Sequence, residues 1–240
     1  MQQKQQLKMV LYILIATAVV FLTIFLPIYF TQIEKPSSQT RSDIVIENLP
    51  TDTWTDYTAQ PASGTGTTDD PYLISSAEEF AWLYGNLTSN VSVKLTANID
   101  LSQHLWMPLK KVVAIYGEGY TISGMKIYAT EITSVGLIGS SGTRTTLQNF
   151  KLVNSIVYLD MNASTSACNA SFLLGGSGSS NYGLQLDNVS VQNSQMYVKD
   201  FSSKARIGIA CGYSYRNDIK INNFSAINVS IKVSSVKAPS

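Results

Sequence analysis

The hydrophobic and polar positions of this chain fall into three regimes. Residues 9–30, MVLYILIATAVVFLTIFLPIYF, are apolar throughout and uncharged, with Lys4 and Lys8 before them and Glu34 and Lys35 after. Residues 31–62 are polar, carry Pro36, Pro50 and Pro61, and show no sustained period. They read as a linker or stalk, in which Trp54 and Tyr57 are the groups able to dock on a folded body. From Val91 onward, short runs alternate apolar and polar residues with period two, as in Val91-Ser92-Val93-Lys94-Leu95. That alternation is the pattern of half-buried strands. Between the linker and the strands, Phe80, Leu83 and Tyr84 follow Ser76-Ala77-Glu78-Glu79 at helical spacing. The expectation is a short helix with a capping box: the Ser76 hydroxyl accepts the Glu79 amide, the Glu79 carboxylate returns to the Ser76 amide, and Gly85 ends the helix.

The strand region repeats itself. Thr121-Ile122-Ser123-Gly124-Met125-Lys126-Ile127 resembles Thr146-Leu147-Gln148-Asn149-Phe150-Lys151-Leu152, Gln185-Leu186-Asp187-Asn188-Val189-Ser190-Val191 and Lys220-Ile221-Asn222-Asn223-Phe224-Ser225-Ala226. Gly-rich apolar segments recur in step. Taking Gly139, Gly176 and Gly212 as equivalent gives intervals of 37 and 36 residues, while Asn149, Asn188 and Asn223 are 39 and 35 apart. A unit that cannot bury its apolar face alone buries it by stacking, so the period predicts a solenoid of parallel strands. Gly and Asn suit the corners because they tolerate the left-handed backbone conformation, and stacked Asn side chains can hydrogen-bond one another. The helix after Ser76 is then the cover of the first coil, whereas no helical pattern follows Val233. This leaves the last coil exposed, covered by another subunit, or continued in a longer parent.

The apolar run is long enough for a bilayer-spanning helix. It exceeds a secretory signal core and lacks a small-x-small cleavage site at Tyr29-Phe30-Thr31-Gln32, which favours an uncleaved signal anchor. The positive-inside bias keeps residues 1–8 in the cytoplasm and places residues 31–62 and the body, 63–240, outside the cell. The expected organisation is thus a cytoplasmic tail, a single-pass anchor over 9–30, a stalk and a β-domain.

Net charge is +1 and charged residues are 14% of the chain, without the basic stripe of a nucleic-acid binder. His104 is the only histidine, and no Cys or His pair has metal-ligand spacing, so neither metal nor cofactor is expected. Cys211 lies in an apolar run and reads as buried, while Cys168 sits in a polar stretch. A disulfide between them requires Cα atoms within about 7 Å. Asn-x-Ser/Thr sequons begin at Asn86, Asn90, Asn162, Asn169, Asn188, Asn223 and Asn228, several of them generated by the Asn-bearing corners.

The ordered set Gly64-Thr65-Gly66-Thr67, Asp70-Pro71-Tyr72-Leu73-Ile74, Ala77-Glu78-Glu79-Phe80, Leu95-Thr96-Ala97-Asn98-Ile99-Asp100-Leu101, Trp106-Met107-Pro108-Leu109, Gly119-Tyr120-Thr121-Ile122-Ser123-Gly124 and Val135-Gly136-Leu137-Ile138-Gly139 resembles the GLUG-motif bacterial surface proteins. The resemblance covers about residues 62–160 and continues to 233 as a degenerate repeat. It departs from the family at the shortened Tyr116-Gly117-Glu118-Gly119-Tyr120 and at Ile138, where the family has Phe. It implies a right-handed parallel β-helix of adhesin-like or cell-wall-associated type, and it carries no catalytic residues.

The expected function is therefore non-catalytic: surface display, adhesion or assembly, with glycans, proteins of a host or neighbouring cell, or other subunits as partners. The alternative is a carbohydrate-active lyase or hydrolase. That chemistry needs paired carboxylates, or a carboxylate beside a base or metal, and Glu118, Glu131, Asp160, Asp187, Asp200 and Asp218 do not recur at matching repeat positions. Tyr128, Tyr158, Tyr197 and Tyr213 are the candidates for an aromatic face that stacks on sugars.

Overall fold

A computed structural model describes residues 49–130, 132–160, 168–177, 183–199, 205–214 and 219–233. The apolar segment 9–30 lies outside them, and among the described residues no helix is long and apolar enough to cross a membrane. The described part belongs to one compact unit, residues 44–240.

That unit is all-β with a single α-helix among the described residues, α1 (Ala77–Asn86). A short strand β1 (Tyr72–Ile74) precedes the helix, and five tiers follow it. The first tier holds β2 (Val91–Leu95), β3 (Ile99–Asp100) and β4 (Leu109–Lys110). The second holds β5 (Val112–Tyr116), β6 (Thr121–Ser123), β7 (Lys126–Ala129), β8 (Ser134–Val135) and β9 (Ile138–Ser141). The third holds β10 (Thr145–Val153), β11 (Ile156–Asp160), β12 (Asn169–Ala170) and β13 (Leu174–Ser177). The fourth holds β14 (Leu184–Lys199), β15 (Arg206–Ile207) and β16 (Cys211–Ser214), and the last described strand is β17 (Ile219–Val233).

Every described strand pairing is parallel and joins one tier to the next. The largest sheet runs β1-β2-β5-β10-β14, with β17 on the far side of β14; the others run β4-β9-β13-β16 and β8-β12-β15. In-register stacking turns the period-two pattern into columns. Val93, Ile115, Leu147 and Leu186 align across four tiers and are wholly buried, as are Ile122, Leu152 and Val191 in the next column. Each such side chain contributes roughly 1.5–3 kcal/mol of burial, which an isolated tier could not gain.

Six of the eight described non-glycine residues with positive φ stand in two corner columns, the other two being Lys111 and Glu118. Asn149, Asn188 and Asn223 have φ of 55°, 52° and 56°; Gly124, Asn154, Asn193 and Asn228 have φ of 71°, 55°, 49° and 52°. Gly124 therefore belongs with Asn154, not with Asn149. Thr121 pairs with Lys151, whereas the sequence similarity had matched it to Thr146. The reason is an insertion: residues 117–120 lie between Tyr116, paired with Gln148, and Thr121, a gap that Asn149 and Phe150 alone fill in the next tier. The Gly-rich column is likewise Gly139, Gly175 and Gly212, because Leu174 pairs with both Ile138 and Cys211. Gly176 instead aligns with Ser140 and Tyr213. Backbone contact explains the glycines: a Cβ on Gly175 would lie 2.6 Å from Val135 N and 2.7 Å from Gly139 O, and one on Gly212 2.5 Å from Ala170 N.

The first tier is covered. Phe80 and Leu83 of α1 are buried, and the Phe80 ring lies 5.1 Å from that of Trp106. The Ser76 hydroxyl accepts the Glu79 amide at 3.2 Å, but the Glu79 carboxylate accepts from the amide and hydroxyl of Ser75 (2.7 and 2.9 Å) rather than from Ser76. The helical backbone ends at Tyr84, and Gly85 takes φ 84°. The folded body also begins before residue 63. Thr53 bridges Leu105, and the buried Trp54 donates from Nε1 to Leu101 O at 3.2 Å.

Candidate functional site

The Asn corner forms the back of an open groove of about 470 Å³. Asn188 Nδ2 donates to Asn149 Oδ1 (3.1 Å), and Asn223 Nδ2 to Asn188 Oδ1 (2.7 Å), so the corner is a continuous amide ladder. Lys151, Ser190 and Ser225 form the adjacent column, and Glu118 stands at one end, 3.5 Å from Lys94. The wall is thus amide and hydroxyl with a Lys and a Glu, suited to ligands rich in hydrogen-bonding groups. A second ladder runs along the other corner, where Asn228 donates to Asn193 at 3.0 Å.

The four tyrosines do not share a face. Tyr128, Tyr158 and Tyr197 align in one column, with the first two rings stacked at 5.5 Å, and Lys232 places its ammonium 5.4 Å from the Tyr197 ring. Tyr128 is 40% exposed, while Tyr158 and Tyr197 are buried, which leaves little ring surface for a sugar. Tyr213 lies on another sheet, beneath the Arg206 guanidinium at 4.3 Å.

Trp54 and Tyr57 dock on the body as their sequence setting suggested, but their partners Asp52 and His104 had no sequence signal. His104 Nδ1 lies 2.9 Å from Asp52 Oδ1, its ring stacks on Tyr57 at 3.8 Å, and the Tyr57 hydroxyl donates to Asp52 Oδ2 at 3.0 Å. The contact with His104, assisted by Tyr57, holds the Asp52 carboxyl below its usual range, and the Asp52 carboxylate pushes the Tyr57 hydroxyl up. His104 lies far along the chain from Asp52 and Tyr57, which is why no motif announced the contact. The arrangement pins the segment around Trp54 to the loop after β3.

The cysteines are both free, and their burial reverses the sequence expectation: Cys168 is buried and Cys211 half-buried. Among the described residues the strand of Cys211 pairs on one side only, with β13. Burial pushes the Cys168 thiol up to about 11. Among the described residues no cluster of His, Cys, Asp or Glu could hold a metal.

No protein-family model matches the chain, and no solved structure matches it. Over 142 residues, 55% of the chain, it is 30% identical to a protein of Evansella cellulosilytica whose description reads Gly-rich membrane protein. The match spans 15% of that relative's length, so the two share a portion rather than a whole architecture.

Proposed function

We propose that the chain is a membrane-anchored, extracellular β-helix for surface display, adhesion or assembly, acting by contact rather than by catalysis. The observation that carries this reading is the stack itself: in-register parallel tiers, covered by α1 at one end, present a continuous amide and hydroxyl groove beside the Asn149–Asn188–Asn223 ladder. A right-handed sense follows from the handedness of parallel crossovers. The uncharged run 9–30 and the membrane description of the Evansella relative support the anchor, and the ordered motifs of residues 62–160 support kinship with the GLUG-motif surface proteins. Glu118 is the one carboxylate among the described groove residues and faces Lys94, whereas glycoside hydrolysis uses two carboxyl groups about 5–10 Å apart.

External protease added to intact cells expressing the full chain tests the reading together with a glycan and cell-binding screen. The body is expected to be digested from outside, the tail to be protected, and deletion of 9–30 to leave the chain inside the cell, in the soluble fraction and out of reach of the protease. Protection of the body, or binding to neither glycans nor cells, would count against it.

A further inference from the structure

The groove at the Asn149 corner is walled at one end by an inserted turn. Residues 117–120 occupy the place that Asn149 and Phe150 fill in the next tier. Glu118 and Gly119 take φ of 52° and 87°, and Tyr120 N donates to Gly117 O at 2.8 Å, the hydrogen bond and the paired positive φ of a type I′ turn. The turn is fastened to the third tier. Gly117 N and Gly119 N donate to Gln148 O and Asn149 O, both at 2.7 Å, and Lys151 N donates to Tyr120 O at 3.2 Å. Glu118 adopts this backbone although L side chains resist it. Strain held in place by the surrounding structure is a pointer to function, and Glu118 stands in the groove wall with its side chain 47% exposed.

The groove presents two charged groups of opposite sign. Lys151 is exposed, is flanked by β6 and β14, and makes no ion pair among the described residues. Glu118 has Lys94 at 3.5 Å, a solvent-exposed contact that leaves carboxylate lone pairs for hydroxyl donors. A neutral sugar would satisfy Glu118 and leave Lys151 without a counterion, whereas a polyanion lacking hydroxyls would satisfy Lys151 and be repelled by Glu118. A ligand bearing both hydroxyls and an anion suits both. The Ser190 hydroxyl accepts from Gln192 Nε2 at 3.0 Å, which leaves its O–H to donate. Tiers lie about 4.8 Å apart, close to the length that one pyranose adds to a chain. A glycan laid along the stack would therefore meet Lys151, Ser190 and Ser225 in succession.

We propose that this groove binds an acidic glycan, a chain of sugars that carry carboxylate or phosphate groups. The chain lies along the stack from the Glu118 wall, with an anion on Lys151 and sugar hydroxyls donating to Glu118. The Asn149–Asn188–Asn223 amides behind it are already bonded to one another, so binding has little of that surface left to order. The inference names the ligand class for the adhesion reading above and rests on it.

The test titrates the full chain in detergent micelles with fluorescent trigalactose, the matching tri-galacturonate, trigalactose 6-phosphate and hydroxyl-free triglutamate. At least one of the acidic sugars should bind about fivefold tighter than both trigalactose and triglutamate, and the one that does assigns the anion as carboxylate or phosphate. Lys151→Gln should abolish that preference and Lys151→Arg should keep it. The same loss of charge outside the groove, Lys110→Gln, should leave it intact. Glu118→Gln should weaken the acidic sugars and narrow their lead over triglutamate, with circular dichroism unchanged in every variant. Equal binding of acidic and neutral sugars, triglutamate matching the acidic sugars, a preference that survives Lys151→Gln, or no binding of any probe would each overturn the proposal. Protease topology and cell binding use neither these probes nor these variants, so the two readings fail separately.

Discussion

The first and last described tiers of the stack are built from the same columns and differ in what covers them. At one end α1 drops Phe80 and Leu83 onto the first tier, and Trp106 and Trp54 bury their rings while their indole N–H groups reach Leu137 O and Leu101 O. At the other, β17 continues the register of β14 through its length and leaves its inward side chains in solvent. The contrast teaches that closure is not a property of the repeat. A tier specifies its neighbour's register through Asn corners and apolar rungs, but a separate covering sequence is needed to stop the stack.

The most severe test of that contrast is a truncation at each end. Phe80→Ala removes a buried ring beside Trp106 and is expected to cost about 3–5 kcal/mol in urea unfolding, whereas Ile221→Ala, at 57% exposure, should change stability by about 0.5 kcal/mol or less. Equal losses would erase the distinction between the ends.

Next in size is the interior Gly column. Gly175→Ala forces a methyl against Val135 N and Gly139 O and should cost about 3 kcal/mol, while Gly176→Ala meets only the Asn169 side chain at 3.3 Å and should cost under about 1 kcal/mol. A reversed order in paired melts would disprove the register assigned here.

The thiols compare a closed tier with the open one. Cys168 is neutral in the fold up to about pH 11, against an ordinary value of 9.0. The associated stability is complete below pH 9 and is lost as pH rises toward 11, by about 2 kcal/mol. Cys168→Ala should flatten that fall in denaturant midpoints measured from pH 8 to 11, and an unchanged slope would show that another group is responsible.

The smallest difference expected lies along one ladder. Asn188→Ala loses hydrogen bonds on both sides at φ 52° and should cost about 1–2 kcal/mol; Asn223→Ala loses one and should cost less. Asn188→Gly, which keeps the backbone conformation, should fall between wild type and Asn188→Ala in thermal unfolding.

Much of this architecture was legible because each local signal had a single cause. Period-two alternation marked strands, Ser76 and Glu79 marked the helix start, and Asn149, Asn188 and Asn223 marked a corner that only a left-handed residue turns easily. Register was harder. Gly124 and Asn149 satisfy the same conformational demand at different corners, so similarity of phrase could not tell them apart. Gly175 and Gly176 are adjacent, and only the approach of the Val135 and Gly139 backbones distinguishes the one that must lack a side chain. Tyr158 and Tyr197 looked like surface aromatics, but period two gives the side of a strand that a residue occupies and not what covers it. In the Asp52–His104–Tyr57 contact, His104 is brought to the other two by folding alone.

The glycine wall has a consequence for tracing ancestry. Side chains elsewhere in a column can be exchanged for others of similar volume, which erodes sequence identity quickly while the fold persists. The positions of Gly139, Gly175 and Gly212 admit no such exchange, since backbone atoms already occupy the space of a methyl group. A spacing of 36 and 37 residues between glycines that each follow an apolar residue or Cys is therefore a slowly decaying fingerprint, able to reveal distant kin after percentage identity has ceased to register them.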